Sequence, residues 1–218
     1  MAISKFPSVD LADESGLLAV GGDLEVESLL LAYRNGIFPW PFSDEFPAWF
    51  SPPKRAVLFF KDFHIPKSLK KKLRKGNYTI YVNRDTPSVI RACANAKNRK
   101  GQRGTWITKD MIEAYIRLHM AGYCHSVECY QETRLIGGYY GVCINQFCGG
   151  ESMFHIETDA SKLCLFHLVE ILKAKGVTWL DVQMLTPLLE HFGAREIPRT
   201  DFLSLLEDSL SKDPITIP

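Results

Sequence analysis

The sequence contains no apolar run approaching the roughly 18 residues a membrane-crossing helix needs, so no spanning segment is expected. Its start, Met-Ala-Ile-Ser-Lys-Phe-Pro, has neither the basic n-region nor the apolar h-region of a secretory signal, and the cytoplasm is the expected compartment. No two cysteines form a CxxC pair. The six (Cys93, Cys124, Cys129, Cys143, Cys148 and Cys164) are scattered through apolar segments, which suggests buried free thiols rather than disulfides or zinc ligands. His119 and His125 lack partners at metal-ligand spacing, so no metal is expected. Charge imbalance is missing too: a net charge of +1 over 218 residues excludes a protein that is basic all over, though it averages over local clusters. With 46% apolar and 23% charged residues the chain reads as globular, with room for one large domain or two small ones.

One local absence is more informative. From Ile65 to Tyr81 there is no acidic residue. Pro66 at the start and Gly76 at the end mark a helix between them, on which Lys67, Lys71, Arg74 and Lys75 fall at i, i+4, i+7 and i+8, on one face. Unopposed like charges destabilise a helix, so something should compensate them, and a row of phosphates would do so. RNA or DNA is therefore the expected partner; a solvated surface helix is the alternative.

What is plentiful elsewhere is aromatic and proline density. Ile37 to Phe42 and Phe46 to Pro53 resist both helix and central strand, and an irregular loop is expected there. Its tryptophans could stack on a flat ligand such as a base, although packing into a small satellite core is the commoner outcome for any one of them. Gly141 to Cys148 reads as a strand running into Gly149-Gly150, then into Glu151 within an apolar patch, then into a helix from Ala160 to Lys175. Val177 to Gln183 follows as a strand, making a parallel β-α-β unit. On that strand Asp181 and Gln183 share a face, and two polar side chains inside a sheet are unfavourable unless hydrogen-bonded. Glu151, Asp181 and Gln183 are thus candidate site residues, with a buried structural pair as the alternative for the last two.

Several separated strings agree with one family. Gly16 to Leu24 (Gly-Leu-Leu-Ala-Val-Gly-Gly-Asp-Leu), Gly36-Ile37-Phe38-Pro39-Trp40, Glu151-Ser152-Met153-Phe154, Ala160-Ser161-Lys162, Asp181-Val182-Gln183 and Phe192 to Arg199 resemble leucyl/phenylalanyl-tRNA–protein transferase, over most of the chain from Gly16 to Leu206. The resemblance implies an α+β protein: a small N-terminal domain, taken as residues 1–60, and a C-terminal acetyltransferase-like (GNAT) domain with a mixed sheet, residues 61–218. It implies a monomeric cytoplasmic enzyme, without cofactor, that moves Leu or Phe from aminoacyl-tRNA to the N-terminal Arg or Lys of a protein and so creates a degradation signal. By position, the resemblance places Trp49 and Trp106 around the terminal adenosine and Ser152, Met153 and Phe154 near the amino-acid pocket. It makes Lys67, Lys71, Arg74 and Lys75 the tRNA-binding cluster, Glu151 a ligand-orienting acid, and Asp181 and Gln183 the pair for peptide-bond formation.

The donor ester is already activated, so position and charge are what the protein must supply. Asp181 is expected to polarise Gln183, whose carbonyl oxygen would accept a hydrogen bond from the attacking amine, the proton passing to Asp181, water or the ribose oxygen. An acyl-CoA-dependent N-acetyltransferase would need a glycine-rich pyrophosphate loop, where this chain has Glu151 to Ser161. A non-catalytic tRNA-binding module would leave Asp181 and Gln183 structural.

Overall fold

The computed structural model describes residues 2–41, 46–96 and 107–218. In chain order its elements are β1 (Leu17–Val20), α1 (Val26–Arg34), β2 (Phe38–Pro41), β3 (Pro47–Phe50), β4 (Lys54–Phe59), α2 (Lys67–Lys75), β5 (Thr79–Val82), α3 (Thr86–Ala94) and α4 (Lys109–Met120). They continue with β6 (Cys124–Gln131), β7 (Arg134–Ile144), β8 (Phe147–His155), α5 (Ala160–Ala174), β9 (Trp179–Gln183), α6 (Pro187–His191), β10 (Arg195–Pro198) and α7 (Arg199–Leu210). Local chemistry sets the helix ends: Asp85 accepts from Ser88 N at the start of α3, Thr108 accepts from Met111 N at the start of α4, and Gly76 closes α2 in the left-handed region.

The α+β class expected from the sequence is what the structure has. A three-stranded sheet, β1-β3-β2, precedes a seven-stranded mixed sheet in the order β10-β4-β9-β8-β7-β6-β5. All neighbours in the large sheet are antiparallel except β8 and β9, which run parallel and are joined through α5, the β-α-β unit read from the sequence. Period-two alternation builds a core on each face. Tyr140, Val142 and Ile144 of β7 meet Tyr33, Tyr115 and Phe202 on one side, while Tyr139, and Ile136 at a register shift in the β6–β7 pairing, meet Leu163, Leu168 and Leu69 on the other.

Four expectations need correction. The proline-rich aromatic stretch is not wholly irregular, because β2 is an edge strand that tolerates Pro39 and Pro41, and Pro47 is the first residue of β3. A small unit of residues 1–60 would take all of β4 away from the large sheet, where it is hydrogen-bonded between β10 and β9; a unit ending before Lys54 respects the sheet. The stretch Gly141 to Cys148 is not one strand: the chain reverses at Asn145, whose φ of 54° suits a hairpin turn, and Gly149-Gly150 lie inside β8. That hairpin sets Cys143 directly opposite Cys148, Cα atoms 4.3 Å apart, and the two are disulfide-bonded. Strand register brought them together, which a search for CxxC spacing does not see. The other four cysteines are buried free thiols, as expected.

Candidate active site

Glu151 sits at an irregularity of β8. Tyr140 pairs with Ser152 and Gly141 with Gly150, so Glu151 is the extra residue of a β-bulge, a device that turns a side chain away from its regular direction. Gly141 is required for this geometry, since a Cβ there would collide with Gly149 O and Tyr139 Oη. Glu151 is 7% exposed and inserts between helices α1 and α4. Its Oε1 accepts from Tyr33 Oη at 2.8 Å and from Gln183 Nε2 at 2.9 Å, and its Oε2 accepts from Tyr115 Oη at 2.8 Å. Burial pushes its carboxyl up to about 7, against hydrogen bonds from the two tyrosines and Gln183 that favour the charged form. Burial, helped by the Glu151 charge, also holds both phenols well above their ordinary range.

Gln183 ends β9 with φ at 60°, a left-handed conformation that is strained for a residue with a side chain. Asp181 Oδ1 holds it by accepting from the Gln183 backbone N–H at 2.9 Å. With its amide nitrogen committed to Glu151, the Gln183 side chain has its carbonyl oxygen left for another donor. Asp181 itself is engaged elsewhere. Both of its oxygens take bonds from Arg55, Nε to Oδ1 at 2.9 Å and Nη2 to Oδ2 at 2.7 Å, in a fully buried ion pair. The guanidinium is also clasped between the rings of Phe38 and Phe202, 4.4 and 4.5 Å from their centroids. In this arrangement Asp181 bonds the Gln183 main chain rather than its side chain, and both of its oxygens face the Arg55 guanidinium.

Glu151 and Gln183 both line a cleft of about 900 Å³ opening between β8 and β9. Ser152, Met153 and Phe154 line it as well, so the structure brings these expected residues together with the polar pair. Trp49 does not join them. It is 1% exposed, its indole N–H donates to Gly21 O and its ring meets the edge of Phe6, so it has no open face on which a base could stack. Trp40, on the edge strand of the small sheet, lines the cleft together with Tyr139 and Phe154. Trp106 and the basic stretch Lys97 to Arg103 lie outside the described residues.

On α2, Lys67, Lys71, Arg74 and Lys75 are all exposed while Leu69 is buried, the one-faced arrangement expected for a basic stripe. Among the described residues no group of three or more His, Cys, Asp or Glu could hold a metal ion. His119 is a satisfied histidine, its Nδ1–H donating to Cys124 O at 2.7 Å. Sequence reasoning missed Arg55, Tyr33, Tyr115 and Trp40. A charged residue opening the apolar run of β4 was a usable signal for Arg55; the tyrosines sit at core positions of their helices, and nothing local sets them apart.

A family profile described as "Leucyl/phenylalanyl-tRNA protein transferase" matches residues 57–207, and one described as the N-terminal domain of the same protein matches residues 22–53. A leucyl/phenylalanyl-tRNA–protein transferase of Anaeromyxobacter dehalogenans (strain 2CP-C) is 48% identical over 208 residues, covering 95% of this chain and 88% of that protein. One of Syntrophobacter fumaroxidans is 47% identical over 206 residues, covering 94% and 87%. Among solved structures, a GCN5-related N-acetyltransferase from Kribbella flavida matches 78% of this chain and 59% of its own, at 9% identity and a TM-score of 0.40, a likeness that carries no argument.

Proposed function

The chain belongs to the leucyl/phenylalanyl-tRNA–protein transferase family and is an aminoacyltransferase, and from that premise we propose that it moves Leu or Phe from tRNA to an N-terminal Arg or Lys at the Glu151–Gln183 end of the cleft. The observation that carries this reading is the shared hydrogen bond: Gln183 Nε2 is fixed on Glu151, which leaves the Gln183 carbonyl oxygen to receive an N–H of the incoming amine.

The α-amine attacks the ester carbonyl carbon, the C–N bond forms, and the C–O bond to the ribose breaks. One proton must leave nitrogen and one must reach the ribose oxygen. Glu151, with a carboxyl near 7, is matched to an α-ammonium whose reference value is about 7.7–8, so it takes the proton and returns it to the leaving oxygen. Asp181 and Arg55 act from behind as positioning residues. Met153 and Phe154, with Leu165 and Leu188 on the facing wall, provide the apolar surface for a Leu or Phe side chain. The stripe of Lys67, Lys71, Arg74 and Lys75 holds the RNA backbone, and Trp40 rather than Trp49 offers a ring to the terminal base. We place the enzyme in the cytoplasm as a monomer; among the described residues no helix is long and apolar enough to cross a membrane.

The decisive experiment mixes the protein with radiolabelled leucyl-tRNA and a peptide beginning with Arg, without ATP or acyl-CoA. Label is expected to enter the peptide. A requirement for acyl-CoA, or equal labelling of a peptide beginning with Asp, would overturn the assignment.

A further inference from the structure

The cleft also holds a second polar cluster, at Asp159, Ser161 and Lys162, that the transfer chemistry does not use. Asp159 precedes α5 at the position where a carboxylate normally caps a helix, yet it makes no capping bond. Its backbone is left-handed, with φ at 69°, and its side chain is turned away to Lys162 Nζ at 2.7 Å and Lys72 Nζ at 3.2 Å. Lys72 also donates to Thr158 O. Within the first turn, Ala160 N reaches Glu157 O and Leu163 N reaches Asp159 O, but the N–H groups of Ser161 and Lys162 take no backbone partner among the described residues. The Ser161 residue is 4% exposed, its side chain makes no hydrogen bond among the described residues, and it lines the cleft. The residue is nearly enclosed while its hydroxyl, without a protein partner, opens on the cleft, and its position beside open N–H donors marks a place prepared for an acceptor.

We propose that the N-terminus of α5, with Ser161, Lys162 and Lys72, is a phosphate subsite that binds a phosphodiester near the aminoacylated end of the donor RNA; the choice of RNA rests on the function proposed above. The sign of the charge is right. Two ammonium groups face one carboxylate, leaving one positive charge, to which the positive end of the α5 dipole adds. Asp159 serves as a counter-ion that keeps both lysines at the rim rather than as a ligand. Location argues for RNA over a free anion. Lys72 belongs to α2, so the exposed stripe of Lys71, Arg74 and Lys75 leads along that helix into the cleft, and the same cleft contains Glu151 and Gln183, where the ester must lie. A backbone running from the stripe to the reacting ester passes the start of α5.

The test reads binding without turnover. Two stable analogues are titrated into the full chain: 3′-deoxy-3′-(leucylamino)adenosine, and the same compound bearing a 5′-phosphate. Hydrogen bonds to a charged group of this kind correspond to a preference of about tenfold or more for the phosphorylated analogue. That preference should shrink toward one in Ser161→Ala, which removes only the hydroxyl, and in Lys162→Gln, which removes the charge. Inorganic phosphate should compete with the phosphorylated analogue and spare the other. Equal affinity for the two analogues in the wild-type protein would overturn the subsite, as would a preference that both variants retain. Phosphate binding undiminished at saturating phosphorylated analogue would show a free-anion site and overturn the RNA assignment. Absence of peptide labelling in the transfer assay would count against the proposed function alone, since these affinities do not depend on it.

Discussion

The phenolic oxygens of Tyr33 and Tyr115 lie 2.5 Å apart, and each also bonds Glu151, closing a buried triangle of three hydrogen bonds. Three bonds need three protons. The two phenols supply two, so the triangle is complete when Glu151 is protonated and short by one when it is ionised. Burial holds the proton on this carboxyl until about 7 against the bonds from the two phenols and Gln183, and when both phenols donate to the ionised carboxylate the Tyr33–Tyr115 contact is left without a proton.

Transfer should rise with pH through about 7 and level off above it, because Glu151 acts as a base only when ionised. In Glu151→Gln the rising limb should vanish and kcat should fall by about a hundredfold. A pH–rate profile of both proteins checks this, and an unchanged limb would assign it to another group.

Stability should run the opposite way. The folded carboxyl is raised from its ordinary 4.5 to about 7, so its contribution is fully present below pH 4.5 and is lost as pH rises through 7. Denaturant unfolding at pH 5 and pH 8 should show a loss that Glu151→Gln largely removes.

Asp181→Ala leaves the Arg55 guanidinium buried without its partner, and should cost about 3–5 kcal/mol of stability as well as activity. The double variant Arg55→Met/Asp181→Leu should regain much of the melting temperature and none of the transfer, because the Gln183 backbone N–H has lost its acceptor. Recovery of transfer would remove Asp181 and Arg55 from the positioning role.

Gln183→Leu keeps the size of the side chain and removes the carbonyl oxygen offered to the amine. A fall in kcat of about a hundredfold with little change in donor KM is expected from steady-state kinetics. A change confined to KM would make Gln183 a binding residue.

Replacing Lys71 and Arg74 together by Gln should weaken RNA binding and lower the slope of log affinity against log salt by about 1.8. An unaltered slope would return the exposed face of α2 to solvent.

Trp40→Ala should raise the KM for aminoacyl-tRNA with the melting temperature nearly unchanged, whereas Trp49→Ala should cost about 3–5 kcal/mol through the cavity it opens beside Phe6. Thermal melts and kinetics on the two variants separate a cleft aromatic from a core one.

Read alone, the sequence determined what depends on neighbours along the chain. The spacing of Lys67, Lys71, Arg74 and Lys75, the stop at Gly76 and the β-α-β unit through α5 are local or periodic, and all are present in the structure. Asp181 and Gln183 were visible because polar residues inside an apolar strand need partners, but which partners was not. Only the tertiary structure decided that Arg55, 126 residues from Asp181, takes both its oxygens, and that Tyr33, 118 residues from Glu151, closes the triangle with Tyr115. The same holds for the one-residue bulge that aims Glu151, the register that joins Cys143 to Cys148, and the burial that withdraws Trp49 while Trp40 faces the cleft. Each follows from the alignment of distant strands and helices, and a shift of one residue in register sends a side chain to the opposite face of the sheet.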